Sequence, residues 1–369
     1  MSEEIRRFLQ MQGGVASSRE LQRSGFSRRS VEVMVRRGEL VRVRRDAVVL
    51  AAALAGATPW EKRALLARAV ARSLAPARCL TSPAGPPPRP APDGPHPVLT
   101  SPAGPDDHAD LEHHPPGRGA THALSHESAL MVHGLPYFGE DGLVHLVRTD
   151  GRRGRRDSTV WVHRPVDARW TVERDGLVLV TPTMAALQVA ATHGVEAGLV
   201  ALDGVLHAAR QRDTEDVGRP DGPAVAQVRQ ESTAALAAGF GPATPTVRLV
   251  TELADGRSES AGESRTRWLV HVLGLGPCVP QFVVHDGELL VGVADLKLTR
   301  WDVLVEFDGT GKYTGHESLL AEKDREDRLR SLGYEVVRIR WADLARPQLV
   351  RRRLLEAIAR AEARSAAIG

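Results

Sequence analysis

Short apolar stretches at helical spacing open this chain, and strand-like alternation dominates near its end. Residues 3–11 carry a helical pattern, with Ser2 placed to cap it, Glu3 and Glu4 in the first turn, and Gly13-Gly14 as its stop. Ser17 and Glu20 frame a capping box for a second helix that halts at Gly25. Ser27 is placed to cap a third over residues 28–37, ended by Gly38. Its Val31, Met34 and Val35 share one face, while Arg28, Arg29, Glu32, Arg36 and Arg37 share the other. Two β-prone runs around a polar centre fill residues 40–50 and predict a hairpin. A short helix over 122–134 with Ser125 as its cap comes later. Strands follow at 144–148, 160–163 and 177–180, then an Ala-rich helical segment over 183–210. From residue 259 the pattern predicts a helix to 273, strands at 281–285, 289–298 and 303–307, a charged helix at 316–331, and a last strand at 335–340.

Composition divides this pattern into regions. The 369 residues suit two to three domains, and 42% hydrophobic with 26% charged residues is ordinary globular usage. Twelve of the 24 prolines crowd residues 81–119, and Leu-Thr-Ser-Pro-Ala-Gly-Pro occurs twice, at 80–86 and 99–105, so a Pro/Gly-rich disordered insert is expected. Its acidic end, with His108, His113 and His114, reads as solvated chain and only secondarily as a metal site. The expected plan is an α/β multidomain protein: a first ordered region over 1–75, the insert over 76–121, a small α/β domain over 122–212, a linker over 213–249, and a last domain with a basic C-terminal helix over 250–369. Two cysteines, no signal-peptide pattern and no long apolar run point to a reducing, cytoplasmic setting with no membrane partner.

Charge sharpens the reading of the first region. Formal net charge is only +3, yet residues 1–50 hold eleven arginines against six acids. Three helices followed by a basic hairpin is the order of a winged helix-turn-helix, whose last helix enters the major groove while the wing lies on phosphates. The expected partner is double-stranded DNA, bound by Arg28, Arg29, Arg36 and Arg37 of the third helix and by Arg42 and Arg44 of the wing. The run from Gly14 through Gly25-Phe26-Ser27-Arg28-Arg29 to Arg37-Gly38-Glu39-Leu40-Val41-Arg42-Val43 resembles the N-terminal domain of AbiEi-type antitoxins, of the type IV toxin–antitoxin systems. The middle region has a looser likeness to the body of the same proteins. There Arg148, Arg152, Arg153, Arg155 and Arg156 suit a phosphate contact or a plain solvated loop, and His126 and His133 read as structural.

The last region carries the chemistry. Asp295 lies in one near-continuous apolar strand and Glu306 in the next, and burying either without a partner is costly. A shared Mg²⁺ (or Mn²⁺) accounts for both, since such ions take carboxylate oxygens and keep positions for water and substrate phosphate. The order α-β-β-β-α-β is that of a restriction-endonuclease-like core. With Glu263, Asp295, Glu306-Phe307-Asp308-Gly309-Thr310-Gly311-Lys312-Tyr313, the charged run 322–329 and Gly333-Tyr334-Glu335-Val336-Val337-Arg338, this region resembles the PD-(D/E)xK nucleases. The narrower likeness is to the short domain grouped with very-short-patch-repair endonucleases. The resemblance implies Glu263, Asp295 and Glu306 as metal-site acids, with Asp295 and Glu306 also catalytic.

The superfamily lysine belongs two residues after the second acid, where this chain has Asp308. Lys312, one of only four lysines beside 45 arginines, is the preferred catalytic substitute, with Lys297 its rival and His316 a further candidate. Ser260 and Glu263 also form a capping box, so Glu263 has a purely structural reading. The expected activity is metal-dependent phosphodiester hydrolysis in phage defence or DNA repair. The alternative is an antitoxin-type transcriptional regulator whose nuclease fold is inactive.

Overall fold

In the computed structural model, residues 2–74, 121–139, 141–218, 220–309 and 316–368 are described. The expected insert over 76–121 lies outside them save for Thr121. Two compact units divide the described chain: residues 2–74, 121–193 and 231–244 form the first, and residues 194–230 and 245–368 the second.

The first unit begins with α1 (Ser2–Met11), β1 (Val15–Ser17), α2 (Ser18–Arg23), α3 (Arg28–Arg36), β2 (Leu40–Arg44) and β3 (Ala47–Leu50). The sequence expectation missed β1, a three-residue strand too short to show alternation. It pairs antiparallel with β3 and completes a sheet of order β1-β3-β2. Ser17 Oγ accepts from the Glu20 N–H at 3.2 Å while Glu20 Oε2 accepts from the Ser17 N–H at 2.6 Å, the reciprocal box the sequence predicts. Ser27 Oγ accepts from the Ser30 N–H at 3.1 Å and caps α3. Ile5, Leu9, Leu21, Val31, Met34 and Leu40 close the core beneath.

After α4 (Ala51–Ala55) and α5 (Pro59–Leu74), the first unit continues as β4 (His122–Leu124), α6 (His126–His133), β5 (Val144–Arg148), β6 (Arg155–Arg156), β7 (Val160–His163), β8 (Thr171–Arg174), β9 (Leu177–Val180) and α7 (Pro182–His193). Residues 122–124, expected in a helix, pair instead with β5 and β9 inside a sheet of order β6-β7-β5-β4-β9-β8. The expected helix over 183–210 is two helices, because Gly194 at φ 90° adopts a left-handed conformation that no α-helix contains. His133 Nε2 meets the Val180 carbonyl at 2.9 Å, and burial brings its pKa down to about 4, a structural role.

The second unit holds α8 (Val195–Val217), part of α9 (Pro223–Ala238), α10 (Thr244–Leu253), α11 (Ala261–Val272), β10 (Cys278–Asp286), β11 (Leu289–Leu298), β12 (Val303–Asp308), α12 (His316–Ser331), β13 (Glu335–Arg340), α13 (Trp341–Leu344) and α14 (Pro347–Ile368). Residues 213–249, expected as a linker, are mostly helical. The Gly/Pro bias there marks a helix start: the Asp213 carboxylate accepts from the N–H groups of Gly222, Ala224 and Val225 at 2.8–2.9 Å, and Pro223 occupies the first helical position. The last sheet runs β10-β11-β12-β13, antiparallel until the parallel pair β12 and β13. One of its faces packs Leu296, Val305, Phe307 and Ile339 with α11 and α14, and the other sets Leu304 against Leu329 of α12. No described helix is long and apolar enough to cross a membrane.

Candidate functional site

The basic face of α3 follows from its amphipathic pattern. Val31 and Met34 are buried in the core, so the helix turns Arg28, Arg29, Arg36 and Arg37 outward, and all four are exposed. The two wing arginines are placed differently. Arg42 donates to Glu32 Oε1 at 2.6 Å and to the Arg45 carbonyl at 2.8 Å, which ties the wing to α3. Arg44 is partly buried and stands 4.0 Å from Asp157. Among the middle-region arginines, Arg148 pairs with Asp150, and Arg156 donates to Asp141 at 3.3 Å.

The acids of the second unit occupy three elements. Glu263, in the first turn of α11, is 8% exposed, and its carboxylate accepts from Ser260 Oγ and the Glu259 N–H at 2.8 Å and from Gln281 Nε2 at 3.0 Å. Burial, reinforced by the negative charge of Asp295, pushes its pKa up to about 7. Helix and strand meet closely at this point: a Cβ on Gly262 would fall 2.0 Å from the Phe307 ring.

Asp295 sits where the paired register Leu296 with Val305 and Lys297 with Leu304 ends. There its Oδ2 accepts the Phe307 N–H at 2.6 Å, taking the place of a ladder carbonyl. Glu306 faces α12 and β13, where Arg325 donates to its Oε1 at 2.6 Å and Arg338 lies 3.5 Å from Oε2. Asp308 accepts from Arg340 at 3.1 Å. Lys297 turns to the Leu298 and Trp301 carbonyls and to Asp302, 3.4 Å away. Lys312 lies outside the described residues, as does the side chain of His316.

The structure thus brings Asp295 close to Glu263 and commits Glu306 to two arginines. Among the described residues, the groups of three or more His, Cys, Asp or Glu with ligand atoms within 4.8 Å of one another do not include Glu263, Asp295 and Glu306. Glu263, buried, and Asp295, partly buried, are carboxylates in mutual repulsion and fit a divalent cation; Glu306 fits one only on leaving Arg325. The sequence reading missed Arg325 and Arg338 as partners of Glu306. The signal lay in Glu335-Val336-Val337-Arg338-Ile339-Arg340, where β alternation sets Arg338 on one face of the strand beside β12.

A pH effect follows. A carboxyl with a raised native pKa binds its proton more tightly folded than unfolded, so stability is lost as pH rises from about 4.5 through about 7. Glu263→Gln is expected to flatten that fall. Urea unfolding at several pH values checks this, and parallel pH profiles for the two proteins would refute it.

No curated protein matches this chain. Residues 3–51, the span from α1 through β3, match the family model described as transcriptional regulator, AbiEi antitoxin.

Proposed function

We propose that this protein binds double-stranded DNA through the outer face of α3 and acts as a transcriptional regulator of the AbiEi antitoxin type. The observation that carries this reading is the set of four exposed arginines, Arg28, Arg29, Arg36 and Arg37, on a helix anchored by Val31 and Met34 inside the matched segment. Such a helix end and face suit a major groove, and their cations suit phosphate. Titration of a labelled duplex with the purified chain at several salt concentrations tests it. The expected result is affinity that falls steeply with salt, and undetectable binding at low salt would end the proposal.

A second reading rests on the Glu263 and Asp295 pair. The α-β-β-β-α-β order and the β10-β11-β12-β13 sheet support a restriction-endonuclease-like core. A Mg²⁺ held by these two acids would supply charge stabilisation and an activated water for phosphodiester hydrolysis. Glu263 would have to give up its proton, and Glu306 its ion pair with Arg325. Incubation of the chain with single- and double-stranded DNA and RNA in Mg²⁺ or Mn²⁺ separates the readings: cleavage lost in Glu306→Ala favours the enzyme, whereas no cleavage, or equal cleavage in the variant, removes it.

A further inference from the structure

Four histidines of the first unit, widely spaced in sequence, meet in the fold. His126 opens α6, His145 lies in β5, His163 ends β7 and His193 ends α7. Parallel pairing of β5 with β7 sets Val147 beside His163 and His145 beside Trp161. His145 Nδ1 is 2.8 Å from His163 Nε2, and the His126 ring stacks on His163 with centroids 3.9 Å apart. His126 Nδ1 meets Ser125 Oγ at 3.0 Å, so Nε2 is its remaining ligand nitrogen. One ring nitrogen from each of His126, His145 and His163 lies within 4.8 Å of the other two.

Two carboxylates stand on the opposite side of His145. Its Nε2 is 2.9 Å from Asp141 Oδ1 and 3.0 Å from Glu127 Oε1. Glu127 is 1% exposed, and on its other side His193 Nε2 lies 3.6 Å from Oε2, a carboxylate contact that raises the His193 pKa. A buried carboxylate calls for such partners close by. His126 also holds a left-handed backbone, φ 51°, which non-glycine residues rarely adopt and which concentrates at functional sites.

We propose that His126, His145 and His163 form a binding site for a zinc-class divalent ion, with Asp141 and Glu127 orienting His145 through its other nitrogen. Imidazole nitrogens suit this class of metal. Four-coordinate bonds of 2.0–2.1 Å place ligand nitrogens about 3.3 Å apart, so the 2.8 Å His145–His163 approach has only to open slightly. A carboxylate accepting the Nε2–H hydrogen bond leaves the Nδ1 lone pair of His145 aimed at the other two rings, the usual arrangement behind a metal-bound histidine. Burial lowers the pKa of His126 and brings that of His163 to about 3, so both rings are neutral, the form that binds metal. His163 and Trp161 are half-buried and give the ion a way in, with the indole stacked 4.3 Å from the His163 ring.

The full chain, stripped by a chelator and desalted, is titrated with ZnCl₂ by calorimetry. Beside it run His163→Asn, Asp141→Asn, Asp295→Asn, and a variant with His108, His113 and His114 of the insert replaced by Asn. The expected result is one equivalent bound by the parent, the Asp295 variant and the insert variant, with binding about 10–100-fold weaker in Asp141→Asn and at least as weak in His163→Asn. No bound equivalent in the parent, unchanged affinity in His163→Asn, or loss in the insert or Asp295 variant overturns the proposal. Should His163→Asn lose the parent's circular dichroism, CoCl₂ titration of the insert variant decides. Four-coordinate visible absorption with a change in Trp161 fluorescence, read against Trp161→Phe, supports the site, and absence of either overturns it.

Discussion

Replacing Arg72 by alanine is expected to destabilise the first unit by about 3–5 kcal/mol, the cost typical of stranding one member of a buried ion pair. Arg72 on α5 pairs with Glu20 on α2, and their side chains are 1% and 4% exposed. Glu20 cannot swing out to water in compensation, because its Oε2 already accepts the Ser17 N–H and closes the capping box. The variant therefore keeps a buried, uncompensated carboxylate at the start of α2, and it also loses the packing of a long side chain. Thermal unfolding with hydrogen exchange at α2 and β1 measures the effect. The double replacement Glu20→Gln with Arg72→Met should recover part of the loss, since it removes both charges together. A single variant that melts with the parent would show that the pair carries no stability.

The second large effect is on DNA affinity. Each arginine that neutralises a phosphate contributes about 0.9 to the slope of log affinity against log salt. Replacing Arg28, Arg29, Arg36 and Arg37 by alanine is therefore expected to reduce that slope by up to about 3.6. Across a rise from about 50 to about 200 mM salt, the parent then loses roughly 100-fold more affinity than the variant does. Arg42→Ala is the informative companion. Its guanidinium is occupied by Glu32 and the Arg45 carbonyl, so the slope should change far less than with any outward arginine of α3. Equal slopes in the parent and the four-arginine variant would place the DNA contact elsewhere.

Local chemistry was the legible part of the sequence. The Ser17–Glu20 box, the Ser27 cap and the strands at 144–148, 160–163, 177–180, 289–298 and 335–340 all stand where residue pattern predicts, because caps and period-two alternation act within a few positions. What stayed hidden depends on distance along the chain. Glu20 was readable as a capping residue, but its ion partner is Arg72, fifty-two positions away. Glu306 stood out as an acid in an apolar strand, yet its neighbours Arg325 and Arg338 come from a helix and a strand set beside it only by the sheet order. The histidines failed as a spacing motif for the same reason, since β5–β7 pairing rather than a short loop gathers them. A hint was present in Val144-His145-Leu146-Val147 and Val160-Trp161-Val162-His163, where a polar ring interrupts an otherwise apolar strand.

Helix α5 lies outside the segment matched by the antitoxin family model, which stops at residue 51. Its Leu65 and Ala69 nevertheless pack against Val15 and Val49, and its Arg68 reaches Asp175 at 3.1 Å while Arg72 serves Glu20. The segment that the family model matches is therefore smaller than the packed unit that contains it. A fragment cut at the matched boundary would bare an apolar seam and an orphaned acid, so the matched segment is splinted by chain that the family model does not include.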